Sequence, residues 1–309
     1  MKHRLAKQYV KRILLCCAAL LLAALLYVGS VFLPTCFYDS GYTRQQIKTM
    51  KIIGHRGGAA LAPENTLTCF RKGIEAGADM IEIDIHLTKD GRIVVCHDQT
   101  VNRTTDGRGK IRELTLSEIQ QFHVIDHEGN ITAEHLPSLE EVFALFQKVR
   151  SKGSTCQLLI EIKRTQNIYQ GIEEKLLQQI EANQARSWVT VQSFNDFALE
   201  KIHLLDPGIR LEKLLFAKLP GLPLIIDGFQ LTFFSYEKYS YIKSFNFYYR
   251  SIWKSLLDDL HAHGKEVKLW TLEDLNAPAL NVDGIITNRP DLWVNAFLHE
   301  ETNYLEKNS

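Results

Sequence analysis

Hydrophobic positions along this chain fall into two regimes. Near the N-terminus one run, Ile13–Leu33 (ILLCCAALLLAALLYVGSVFL), goes about 21 residues without a charge. An α-helix needs about 20 such residues to cross a hydrocarbon core, so the run predicts a transmembrane helix. From Lys51 onward, short β-rich segments alternate with amphipathic stretches. Candidate strands are 51–55, 80–88, 92–97, 157–163, 188–193, 210–216, 227–233, 266–271 and 283–287. Between them Leu67, Phe70 and Ile74 recur at helical spacing. Ser138 and Glu141 form a capping box ahead of Val142, Phe143, Leu145, Phe146 and Val149, and Thr115 and Glu118 form another. Asn195 is suited to cap a helix running to about Leu205. Strand and helix in alternation predict a parallel sheet.

Nine strands are one too many for an eight-stranded barrel, and the surplus traces to Lys89-Asp90-Gly91-Arg92. Asp-Gly between two β-rich runs signals a two-residue hairpin, which sets 92–97 antiparallel to 80–88. In that register Lys89 pairs with Arg92 and Asp84 lies opposite His97, on one face. The fold class expected is therefore α/β, a (β/α)8 TIM-like barrel with a β-hairpin insertion, preceded by one N-terminal transmembrane helix. Two segments fit less well. Phe233–Tyr249 is rich in aromatics, and Leu214–Ile226 carries Pro220 and Pro223. The first reads either as core and helix packing or as a rim in contact with lipid, and the second could also be a rim loop.

Length and charge narrow the picture. A barrel of about 250 residues takes up most of the 309. Lys+Arg and Asp+Glu both number 36, so there is no basic surface for nucleic acid. Lys2, Arg4, Lys7, Lys11 and Arg12 precede the apolar run, whereas Pro34–Tyr42 carries only Asp39. Positive residues stay on the cytoplasmic side, which places the C-terminal domain outside. The expected organisation is a basic cytoplasmic tail (1–12), a signal anchor (13–33), a linker (34–50), a catalytic barrel (51–300) and a tail (301–309). A cleaved signal peptide is the alternative, with Val28-Gly29-Ser30 as a small-residue site, but the run exceeds a typical cleaved core. Cys69, Cys96 and Cys156 show no metal or redox spacing and read as buried small apolar residues.

Chemistry concentrates on a few strand ends. Glu82 and Asp84 are two apart in an otherwise apolar strand and share a face. On a solvated strand this would be unremarkable, but in a buried one the two charges repel unless a cation joins them. Glu161, in Leu158-Leu159-Ile160-Glu161-Ile162-Lys163, supplies a third acid near the end of another strand, where barrel enzymes collect catalytic groups. Three hard oxygen ligands suit Mg²⁺ or Ca²⁺ better than Zn²⁺. Gly54-His55-Arg56-Gly57-Gly58 closes the first strand with an imidazole and a planar phosphate-binding fork, and His97 ends a second run. Either histidine alone reads as structural; two beside convergent carboxylates read as chemistry.

In order and spacing, His55-Arg56-Gly57, Pro63-Glu64-Asn65-Thr66, Gly77-Ala78-Asp79, Glu82-Ile83-Asp84, Thr88-Lys89-Asp90-Gly91, His97-Asp98 and Arg103-Thr104-Thr105 resemble the glycerophosphodiester phosphodiesterases. Leu136–Glu141, Glu161-Ile162-Lys163, Gln192-Ser193-Phe194, Trp270-Thr271 and Val282–Thr287 continue the likeness, which covers about 51–293. It implies a barrel that hydrolyses glycerophosphodiesters to sn-glycerol 3-phosphate and an alcohol through a cyclic phosphate. Glu82, Asp84 and Glu161 would hold a divalent cation, Mg or Ca, with Glu64 close enough to join them. His55 and His97 would be general acid and base, and Arg56, Lys163 and Trp270 would bind substrate. Asn288 stands where the family usually has Asp, and Leu-Glu-Asp follows Trp270-Thr271. Neither departure is expected to touch the acid–base pair. The partner is a small-molecule glycerophosphodiester or, alternatively, a lysophospholipid taken from the bilayer by a lysophospholipase D; a barrel used only for surface binding is the reading from outside catalysis.

Overall fold

The computed structural model describes residues 41–163, 169–228, 230–277 and 279–296, and three isolated positions, Leu15, Ala18 and Leu22. The expected anchor, the basic tail, the first part of the linker and the C-terminal tail lie outside the described residues. No helix among the described residues is long and apolar enough to cross a membrane.

In chain order the strands are β1 (Lys51–Gly54), β2 (Met80–Leu87), β3 (Ile93–Val95), β4 (Gln157–Ile162), β5 (Val189–Ser193), β6 (Arg210–Leu215), β7 (Ala217–Lys218), β8 (Leu224–Asp227), β9 (Gln230–Phe233), β10 (Ser244–Tyr248), β11 (Glu266–Trp270) and β12 (Gly284–Thr287). β1, β2, β4, β5, β6, β10, β11 and β12 run parallel and close into a ring through the pairings of β1 with both β12 and β2. The helices Leu67–Glu75, Leu139–Arg150, Ile172–Ala182, Asp196–Leu205 and Lys254–Ala262 connect strands of the ring. This is the eight-stranded parallel α/β barrel.

Alternation in β2 shows how the sequence builds both wall and interior. Every residue of β2 is buried. Ile81, Ile83 and Ile85 join the main core with Phe70, Leu139, Phe143 and Phe146 of the helices outside. Glu82 and Asp84 take the opposite face and point into the barrel. Ile53, Met80, Leu159 and Ile286 form a small apolar cluster of their own. Capping follows the side chains: Thr115 and Ser138 complete the expected capping boxes, and Asn195 accepts from the Phe197 amide. Thr66 caps the helix at 67–75, accepting from the Cys69 amide at 3.1 Å.

Two expectations need correction. The hairpin forms, but its register differs by one residue. Ile85 pairs with Val95, His86 with Val94 and Leu87 with Ile93. Thr88 N–H donates to Arg92 O (2.9 Å), so the loop is the three residues Lys89, Asp90 and Gly91, with Gly91 at φ 71°. Three-residue loops with glycine in the left-handed region are the next commonest hairpin connection. Asp90 is held there by the Thr88 hydroxyl and the Leu116 amide. The Cys96 amide therefore donates to Asp84 O (2.9 Å), and His97 falls past the strand.

The second correction concerns 227–233. It is not one barrel strand; it contains the end of β8, a turn and β9, in a separate antiparallel sheet ordered β7-β8-β9. The missing stave is β10, inside the aromatic-rich segment. Phe245 and Phe247 pack outward into the core while Ser244 and Asn246 are buried on the other face. The density of aromatics around it hid that period of two.

Candidate active site

Backbone register brings the acids together. Asp84 and Glu161 are register partners across the parallel β2–β4 pair, with Glu82 two residues below Asp84. Oxygens of Glu82, Asp84 and Glu161 all lie within 4.8 Å of one another, and all three residues are buried. Burial and the neighbouring carboxylates push Glu82 well above the usual carboxylate range. Burial raises Glu161 to about 7. Burial would raise Asp84 too, but Lys163 and Arg56 overcome it and hold that carboxyl well below its ordinary value. A buried group in which two of three acids resist ionising fits an oxygen-ligated divalent cation, which would supply the missing positive charge.

Lys163 Nζ sits 2.7 Å from Asp84 Oδ1 and 3.0 Å from Glu161 Oε1. Burial disfavours its charge, yet Asp84, Glu161 and Glu82 together raise it further above the lysine range. It is a fixed cation between the acids.

The chain leaves β1 in a single 3₁₀ turn, His55–Gly57, with Arg56 in the left-handed region (φ 51°). That conformation aims the Arg56 amide at Glu82 Oε2 (2.8 Å) and its guanidinium at Glu64 Oε1 (2.9 Å), with Asp84 Oδ2 at 3.6 Å. Gly57 follows at φ 99°, where a Cβ would meet Cys69 Sγ and Phe70 Cδ1 at 2.8 Å. Only glycine allows this turn to lie against the helix behind it.

Both histidines have one ring nitrogen engaged. His55 Nδ1 lies 2.8 Å from Asn288 Oδ1 and His97 Nδ1 lies 2.7 Å from Asp98 Oδ1. With Nδ1–H donating to these acceptors, Nε2 is left on each ring for proton transfer. Burial, then Arg56, lower His55 to about 4; burial and Lys163 lower His97. Both rings are neutral near pH 7. Asn288 thus contacts His55 directly, against the expectation that this position stands clear of the acid–base pair.

Glu64 is also placed differently from expectation. It does not join the three acids. Arg56 holds Oε1, and Arg103 grips both oxygens at 2.6 and 2.9 Å. Burial alone would raise this carboxyl, but the two guanidinium groups lower it. Spacing from the strand motif could not reveal that a loop arginine would claim it. Arg103 also binds Asp98 at 2.8 Å, holding that carboxyl down at about 2, and so links Glu64 to the His97 partner. Arg103 lies in the Arg103-Thr104-Thr105 motif, but nothing in the sequence alone assigns it a partner. Asn65, left-handed at φ 57°, was missed as well: its amide donates to Asp84 Oδ2 (2.8 Å).

His55, Arg56, Glu82, His97, Glu161, Lys163 and Trp270 line one cavity of about 110 Å³ at the strand C-termini. Trp270 Nε1–H donates to Asn246 O (2.9 Å), which fixes the ring, and Phe194, Phe216 and Tyr248 pack around it at centroid distances of 5.2–5.7 Å. A larger cleft of about 690 Å³ lies against the helices at 172–182 and 196–205. Its charged Arg186 and Asp206 pair with each other at 2.5 Å, and it collects no convergent chemistry.

The sequence pattern of the glycerophosphoryl diester phosphodiesterase family matches residues 55–292. A glycerophosphodiester phosphodiesterase of Caldanaerobacter subterraneus is 34% identical over 255 residues, covering 81% of this chain and 98% of the relative. One from Bacillus altitudinis is 33% identical, covering 78% and 95%. Among solved structures, an Oleispira antarctica phosphodiesterase in complex with its product sn-glycerol-3-phosphate superposes with a TM-score of 0.65 at 25% identity, covering 81% and 97%. The Thermotoga maritima glycerophosphodiester phosphodiesterase gives 0.59 at 26% identity, covering 80% and 97%. With the barrel, and with Glu82, Glu161 and the histidine pair lining one cavity, these matches make the chain a member of the glycerophosphoryl diester phosphodiesterase family.

Proposed function

We propose that this enzyme hydrolyses glycerophosphodiesters to sn-glycerol 3-phosphate and an alcohol, with a divalent cation, Mg²⁺ or Ca²⁺, at Glu82, Asp84 and Glu161. The observation that carries the reading is the single cavity lined by two imidazoles, Arg56, Lys163, Glu82 and Glu161, with buried Asp84 completing the group of three acids behind its wall. Held by these three acids, a cation would supply positive charge to neutralise the phosphate.

The protein groups supply the rest. Arg56 and Lys163 keep positive charge beside the phosphate while holding Asp84 ionised. One of His55 and His97 takes the proton from the attacking hydroxyl, and the other delivers a proton to the departing alkoxide. Attack by the glycerol 2-hydroxyl at phosphorus expels the alcohol and leaves a cyclic phosphate. Water, with the proton roles exchanged, opens that ring to sn-glycerol 3-phosphate. Two rings tied through Nδ1 suit this exchange, since each presents the same nitrogen in both half-reactions.

The aromatic wall of Trp270, Phe194, Phe216 and Tyr248 favours a second reading, a lysophospholipase D whose glycerol carries an acyl chain and stays on the phosphate while the head-group alcohol leaves. Membrane anchoring by Ile13–Leu33, with the barrel outside the cytoplasm, belongs to the same proposal. Release of sn-glycerol 3-phosphate and choline from glycerophosphocholine, with and without EDTA, tests the activity; release of choline from lysophosphatidylcholine, leaving acylglycerol 3-phosphate, separates the two substrates. No release from either would overturn the reading.

A further inference from the structure

We propose that the outward face of the β7–β9 sheet docks on the surface of a lipid bilayer and holds the mouth of the barrel against it. The proposal rests on the anchoring reading above. It starts from a sheet that is the wrong way round for water. Leu224 pairs with Phe233, Ile226 with Leu231, and Ala217 with Ile226. Directly paired residues share a face, so these five apolar residues form one surface. The other face holds Ile225, buried in the core, and Asp227, whose carboxylate lies 2.8 Å from Lys213 Nζ. A charge is turned inward and the apolar set outward. Leu231 is 64% exposed, Phe233 58% and Leu222, in the turn between β7 and β8, 45%. From Phe216 to Ile226 there is no acidic residue, and the turn reads Leu219-Pro220-Gly221-Leu222-Pro223. A contiguous apolar patch of this kind marks a surface with a partner.

The tether points to a bilayer as that partner. Gly41 and Tyr42 hydrogen-bond to Ala277 O and Leu275 O, on the loop whose first residue, Thr271, lines the catalytic cavity. Residues 34–40 alone separate Gly41 from the end of the apolar run. The eight steps from Leu33 to Gly41 span at most about 29 Å, so an inserted run keeps Gly41, and with it the loop that begins at Thr271, close to the membrane. The excursion leaves the same rim after β6, and its first residue, Phe216, stacks on Phe194 and meets the Trp270 ring edge-on. A docked sheet would therefore set the wall of the cavity at the lipid surface.

The test uses the full chain reconstituted in phosphatidylcholine vesicles. Leu222→Trp adds a fluorophore at the tip, and Leu231→Trp serves if the first variant fails to turn over glycerophosphocholine. Lipids brominated near the head group should quench the added emission about twofold or more, as expected for a group buried about 5–10 Å into the interface. Adding Leu231→Asp and Phe233→Asp to the Leu222→Trp variant should remove the quenching while glycerophosphocholine turnover stays unchanged. An unquenched tip in an active, vesicle-bound protein would overturn the docking face, as would a dimer of this chain covering it. Quenching without glycerophosphocholine turnover would leave the docking intact and sink the proposed activity. Failure of the chain to stay with the vesicles would remove both the anchor and the docking.

Discussion

Asp84 and Glu161 are partners in the backbone register of two adjacent parallel strands. Their spacing is set by the sheet ladder, so replacing one side chain should leave the frame intact. We expect Glu161→Gln to weaken Mg²⁺ or Ca²⁺ binding and lower kcat on the order of 10²-fold, with an unchanged circular dichroism spectrum, since outer partners of metal ligands alone cost about 10–100-fold. Calorimetric titration of the cation checks this; wild-type affinity would remove Glu161 from the metal site.

Burial of Glu161 makes a further prediction about pH. Its folded value, about 7, lies above the unfolded carboxylate value of roughly 4.3. Between these limits the folded state binds more protons, so this group's contribution to stability is full below the lower value and lost as pH rises to the upper one. In the metal-free protein, Tm should fall across that window. The Tm gain from Mg²⁺ or Ca²⁺ should grow over the same range, because cation and proton compete for the site. In Glu161→Gln the pH-dependent part from this group should vanish. A flat metal response from pH 5 to 7.5 would contradict the assignment.

His55→Ala and His97→Ala should each cost on the order of 10²-fold or more in kcat. The double variant should be little worse than either single one, because groups acting as a unit are not additive. Near-wild-type turnover in one single variant would exclude that histidine.

Asn288 offers a cleaner probe of His55. A neutral amide beside Nδ1 leaves the ring to burial and Arg56, which lower it to about 4. Asn288→Asp would place a carboxylate there and favour the imidazolium. The acid limb of kcat/KM should then move upward by about 1 unit, the usual scale for one close charge. An unmoved limb would show that His55 is not the group it reports.

Arg103 holds Glu64 and Asp98 at once, and through them Arg56 and His97. It is a positioning residue, half-exposed, so its loss should affect stability little. Arg103→Ala should reduce kcat roughly tenfold, within the range for partners that orient active groups, and shift the pH profile; Arg103→Lys should recover only part. Loss of thermal stability with an unchanged pH profile would make the role purely structural.

Ile13–Leu33 should keep the full chain in the membrane fraction after carbonate washing, and protease added to intact cells should digest the barrel. Full protection would sink the extracytoplasmic placement, and a soluble shortened form would indicate cleavage.

Much of the site could be read from the sequence because it lies on regular strands. Glu82 and Asp84 share a face through the period of two, and Glu161 lies at the end of an apolar run. What escaped depends on loops. Arg103 reads as a solvated loop cation until the fold brings Glu64 beneath it. Asn65 and Arg56 work through left-handed backbone that no spacing rule announces. The Asp-Gly turn was found but its length was not, since Thr88 and Leu116 settle it by hydrogen bonds to Asp90. The strand at 244–248 was obscured because aromatics fill both it and its neighbours.

The alternation in β2 has one more consequence. Shifting this strand by one residue would turn Ile81, Ile83 and Ile85 into the barrel and drive Glu82 and Asp84 among the helices. A chain assembled that way would lose its core and its chemistry together. Turnover is therefore a faithful report of correct assembly of the unaltered chain: on refolding, the active fraction of a preparation should equal the fraction with native strand order, with no well-packed but register-shifted population to confuse the count.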